Sequence, residues 1–107
     1  MSPADPQLVD AVWRHGRVMP EADPAHWRQD ECGAWMHREQ YGQERAEFCW
    51  KMVNVTPGSA DSAENLRPFH RSNGYDVARG SAHCALTADR GNLPAEKYLM
   101  PPRSRRA

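Results

Sequence analysis

The chain has 107 residues, with 14 basic and 14 acidic side chains and no formal net charge at neutral pH. That length predicts one compact domain with a modest core, and neutrality excludes a global basic field that would draw in nucleic acid. No apolar run is long enough to span a membrane and none at the start resembles a signal peptide, so a cytoplasmic protein is expected.

Asp5-Pro6 carries a helix-start signal: Asp caps free N–H groups, and Pro is tolerated in the first turn. Leu8, Val9, Val12 and Trp13 follow at helical spacing, and Gly16 suits a stop, which predicts a helix from Pro6 to His15. A loop with Pro20 and Pro24 comes next. Asp23-Pro24 is a second cap signal and predicts a short helix through Ala25, His26, Trp27 and Arg28. Alternation from Gly33 to Arg38 predicts a strand, and Tyr41-Gly42-Gln43 marks a turn.

Phe48 to Val55 reads as the next strand, ended by Pro57-Gly58. Asp61 to Glu64 has capping-box form. Pro68 fits the first turn of a helix carrying His70 and Asn73, with Gly74 at its end. Ser81 to Ala88 predicts a further strand, residues 89–92 a turn and residues 94–99 a short helix. Pro101-Pro102 stops regular structure, which leaves a single domain over residues 1–100 and a basic, disordered tail over 101–107.

Cys32, Cys49 and Cys84 lie far apart and form no C-x-x-C pair, so a zinc knuckle is not indicated. An odd count in a cytosolic chain predicts buried free thiols. The alternative is a zinc site assembled from the three cysteines and a histidine.

The stretch from Phe48 to Asn73 joins a strand, a Gly/Ser/Asp turn and a short helix. It holds Trp50, Pro57, Gly58, Asp61, Asn65, Leu66, Pro68, His70 and Asn73. Upstream stand Val12-Trp13, Gly16, Val18, Asp23-Pro24, Trp27-Arg28, Asp30, Cys32-Gly33-Ala34-Trp35-Met36 and Tyr41-Gly42. Over residues 12 to 73 this resembles a bacterial branch of the HNH endonucleases, with Val53-Asn54 where the family has an Asp-His pair. The resemblance implies an α+β fold: an HNH-like ββα-metal hairpin with an N-terminal helix and an extra C-terminal strand.

In that family a strand Asp and a helix His hold one divalent cation on the scissile phosphate. The neighbouring His is the general base, and a central Asn steadies the loop. Carried over, the helix ligand falls on His70 and the central Asn on Asn65. The metal carboxylate falls on Val53 and the base on Asn54. Val has no donor atom and an Asn amide is not basic, so neither position supports that chemistry. Losing a general base alone forfeits roughly 10²–10⁴-fold in rate. No metal and no cofactor are therefore expected.

The resemblance implies a catalytically inactive domain that retains DNA binding through Arg67, His70, Arg71 and Asn73. The bland reading of His70 is a satisfied structural histidine, and that of the arginines a solvated face. Asn54 facing Asn65 and His70 is expected to form a polar cluster that keeps the old site folded. Two alternatives stand beside this. One is a small protein-interaction module, which neutral charge favours. The other is a metal-dependent nuclease with ligands drawn from Glu47, Asp61, His37 or His83. A monomer is expected in each case.

Overall fold

The computed structural model describes residues 5–88 and 104–106. Expectations for residues 89–92, 94–99 and 101–102 lie outside them. Helix α1 (Pro6–Trp13) forms where the apolar spacing places it, with Asp5 Oδ1 accepting the Gln7 N–H at 2.9 Å. It stops two residues short of His15. No helix among the described residues is long and apolar enough to cross a membrane.

Among the described residues the strands pair two by two into antiparallel sheets, and a short 3-10 turn spans Arg38–Gln40. β1 (Trp27–Gln29) pairs with β2 (Trp35–His37), setting Trp27 opposite His37. β3 (Trp50–Asn54) pairs with β4 (Leu66–His70), setting Trp50 opposite His70 and Asn54 opposite Leu66. β5 (Gly74–Asp76) pairs with β6 (Ser81–His83), and β7 (Leu86–Ala88) with β8 (Ser104–Arg106). The expected strand over residues 81–88 is thus two strands, and three residues of the expected tail form β8.

The ββα-metal fold is overturned by this architecture. Two strands of a hairpin are present, but the segment expected to be a helix is β4 followed by the β5–β6 hairpin. His70 closes β4, and Asn73 sits in the turn before β5. Pro68 was compatible with either state. In β4 the His70 N–H points away from β3, to Asp30 Oδ2 at 3.0 Å, while the Arg71 N–H bonds Cys49 O. Side-by-side alternation puts Pro68 on the outward edge with His70, so its missing N–H costs no ladder bond.

A second correction concerns residues 25–28. Asp23 closes one turn, its Oδ1 accepting the Ala25 N–H and its carbonyl accepting the Trp27 N–H. Trp27 then extends into β1, where its ring meets Phe48 edge-on at 4.8 Å and His37 at 4.6 Å. These long-range contacts outweigh the local cap signal.

The main core joins Val9, Val12 and Trp13 of α1 to Met36, Trp50 and Leu66. The Trp13 and Trp50 rings meet at a tilt with centroids 5.1 Å apart, and Tyr41 approaches Trp50 at 4.8 Å. Each fully buried apolar side chain of this kind contributes on the order of 2 kcal/mol. Cys32 and Cys84 form a disulfide across 52 residues of sequence, which overturns their reading as free thiols. It also removes two of the three thiols from any zinc site. Cys49 is free and buried.

Candidate functional site

Asn54 ends β3 and turns its side chain into the loop that follows. Its Nδ2 donates to Ser59 O and Asp61 Oδ1, each at 3.0 Å, and its Oδ1 accepts the Thr56 N–H at 2.8 Å. Asn65 holds the same loop from the far side, donating to Ala60 O at 3.0 Å and Ser62 Oγ at 3.3 Å. The two amides clamp the residue 56–62 turn. Val53 is half-buried opposite Arg67.

His70 stands at the other end of the hairpin. Asn54 is four residues from the His70 partner Trp50, which is roughly 13 Å along a strand. The expected cluster of Asn54, Asn65 and His70 therefore splits: the two amides meet and the imidazole does not join them. His70 Nε2 donates to Glu47 O at 2.7 Å, and Nδ1 accepts the Ser72 N–H at 3.1 Å. Both ring nitrogens are used, and burial pushes the imidazole pKa down, with the Glu47 carbonyl opposing. This is a neutral structural histidine.

Asp30 is the residue that sequence reading left without a role. Its Oδ1 accepts the Cys32 and Ala34 N–H groups, each at 2.9 Å. Its Oδ2 accepts the His70 N–H at 3.0 Å and Asn73 Nδ2 at 2.8 Å. Asn73 Oδ1 in turn accepts the Ala85 and Leu86 N–H groups. A local signal existed: Asp30-Glu-Cys-Gly33 has the form of an Asx turn, and Gly33 takes φ 81°. Nothing local indicated that the second carboxylate oxygen would reach across to β4.

The four expected nucleic-acid contacts are spread differently. His70 and Asn73 are each 2% exposed and hydrogen-bonded internally. Arg67 is exposed and ion-paired with Glu31 at 3.1 Å. Arg71 is exposed and sits beside Lys51, whose Nζ donates to Arg71 O at 3.3 Å. Lys51 and Arg71 border an open cleft of about 510 Å³, floored by Trp50 and Cys49 and edged by Ser72 and Glu44. Burial pushes the Cys49 thiol pKa up, with Arg71 pulling the other way, so the thiol is an inert floor.

The alternative ligands do not converge either. Asp61 is bonded to Asn54, and His37 Nδ1 accepts the Glu39 N–H at 3.2 Å. Among the described residues, no group of three or more His, Cys, Asp or Glu side chains comes together as metal ligands.

Compared with protein-family models, curated proteins and solved structures, the chain matches none. Nothing in these comparisons identifies an HNH family.

Proposed function

We propose that this chain is a non-catalytic binding module that contacts a nucleic-acid phosphate backbone along the Lys51–Arg71 edge of the β3–β4 hairpin. The observation that carries the reading is the cleft of about 510 Å³ where these two exposed cations and Ser72 stand over Trp50. Two cations and a hydroxyl around an open cleft suit a phosphate backbone, whereas Trp50 beneath them is fully buried and offers no face to a base. The positions where hydrolysis would need a base and a carboxylate hold Asn54, bonded into its own loop, and Val53. The resemblance of residues 12 to 73 to HNH endonucleases favours DNA as the nucleic acid.

A titration of labelled protein with a short DNA duplex tests this, run with and without Mg²⁺ and Zn²⁺. Shifts should cluster on Lys51, Arg71 and Ser72 and be independent of either metal. Two phosphate contacts give a log–log salt slope of about −2. A titration without shifts rejects the reading.

A second reading, a protein-interaction module, is favoured by the absence of net charge. As to location, the sequence-based expectation is the cytoplasm. The Cys32–Cys84 disulfide supports an oxidising compartment instead.

A further inference from the structure

A second cavity lies on the other flank of β4, between the residues after α1 and the turn after β1. It is small, about 100 Å³, and is lined by His15, Arg17, Gln29, Asp30, Glu31 and Arg67 among others. That is roughly the space of three waters, well below the ~300 Å³ of a drug-sized pocket. Gln29 is 3% exposed, and its Nε2 donor has no hydrogen-bond partner among the described residues. A buried donor left unmade is costly, so its retention calls for an acceptor.

The charges around the cavity are unequal in availability. Asp30 lines it, but its two oxygens already accept four N–H groups. His15 Nε2 donates to Ala63 O at 2.8 Å. Arg17 is exposed and has no ion-pair partner among the described residues. Arg67 is held by one carboxylate oxygen of Glu31 at 3.1 Å. Both members of that pair are more than two-fifths exposed, so the bond is weak and exchangeable.

We propose that this cavity is a binding site for a single tetrahedral oxyanion of the phosphate class, held by Arg17, Arg67 and the Gln29 amide. Glu31 is the built-in competitor: its carboxylate occupies Arg67 until the oxyanion displaces it. The site is separate from the Lys51–Arg71 cleft, and the inference does not rest on the nucleic-acid reading. Free phosphate and the terminal phosphate of an oligonucleotide share the required chemistry.

The test uses the full chain with its disulfide intact, titrated with inorganic phosphate at constant ionic strength and followed by ¹H–¹⁵N spectra. Saturable shifts are expected on residues 16–17, 29–31 and 67. Arg67→Ala should weaken binding by about tenfold or more, as loss of a charged hydrogen bond does. Glu31→Gln should tighten it by about threefold, the converse of a weak exposed ion pair. A merely structural Arg67–Glu31 pair would give no gain on losing Glu31. Gln29→Met keeps the shape without the donor and should weaken binding. Should it disturb the fold, the two exposed positions carry the test alone.

A parallel titration compares one oligonucleotide with and without its 5′-phosphate. Shifts at these residues that need the terminal phosphate support the site and assign its source to nucleic-acid ends. Shifts with inorganic phosphate alone support it with free phosphate as ligand. No saturable shift with either probe overturns the proposal. So do shifts confined to Lys51 and Arg71, or phosphate binding unchanged by both Arg67→Ala and Glu31→Gln.

Discussion

The Asn73 amide donates to Asp30 Oδ2 at 2.8 Å, and both residues are 2% exposed. Through that bond three segments far apart in sequence are fixed together. The carboxylate gathers the residue 32–34 backbone and the His70 N–H, while Asn73 gathers Ala85 and Leu86. The disulfide from Cys32 to Cys84 ties the same two edges covalently. A buried carboxylate with four donors is stable because every lone-pair direction is answered.

Asp30→Asn should therefore destabilise the fold although it is nearly isosteric. One oxygen becomes an NH₂ group facing donors, leaving two N–H groups without an acceptor. The cost expected is about 2–4 kcal/mol, read as a lower urea midpoint with an unchanged m-value. Asn73→Ala should cost a comparable amount by freeing the Ala85 and Leu86 N–H groups.

Reduction of Cys32–Cys84 should lower stability by up to roughly 4 kcal/mol, the loop-closure contribution for a closed loop of this length. The Asp30–Asn73 network spans the same gap, so the reduced chain should still fold at low temperature. Thiol counting in denaturant without reductant should find one reactive group, from Cys49. Three reactive groups would contradict the disulfide.

Burial lowers the pKa of His70 from 6.5, and burial with His26 nearby also lowers that of His37. A histidine with a depressed folded pKa resists protonation in the native state. Its stabilisation is whole above the unfolded value near 6.5, falls as pH drops below it, and levels off beneath the folded value. Urea midpoints should thus decline from pH 7 towards pH 5. His70→Gln, whose amide reaches Glu47 O without titrating, should show a shallower decline.

Val53→Asp with Asn54→His places an Asp-His pair in β3. No Mg²⁺ or Mn²⁺ site should result, because His70 lies at the far end of the hairpin and spends both ring nitrogens on Glu47 and Ser72. The loop should instead lose the Asn54 bonds to Ser59 and Asp61, at about 1–2 kcal/mol. Calorimetric titration with Mn²⁺ and a urea melt of the double variant check both statements.

How far the sequence reaches is clearest at three places. Asp5-Pro6 with Leu8, Val9, Val12 and Trp13 yields α1 directly, because cap and apolar face lie within one local window. Phe48 to Val55 yields β3 for the same reason, alternation being local. Residues 66–73 do not. Pro68 satisfies both a first helical turn and an outward strand edge, and the strand is selected by non-local partners: the pairing with β3 and the Asp30 carboxylate, 40 positions before His70.

By itself, then, the sequence determined α1, the strand-forming runs that became β2 and β3, and the turn at Pro57-Gly58. The tertiary structure alone decided the role of Asp30, the pairing of Cys32 with Cys84, the separation of Asn54 from His70, and the meeting of Arg17, Gln29 and Arg67 around one cavity. The physical reason is range. Caps, periodicity and side-chain chemistry act within a few residues, whereas a carboxylate that answers donors from three segments, or a thiol that finds its partner 52 positions on, is specified only once the chain has closed on itself.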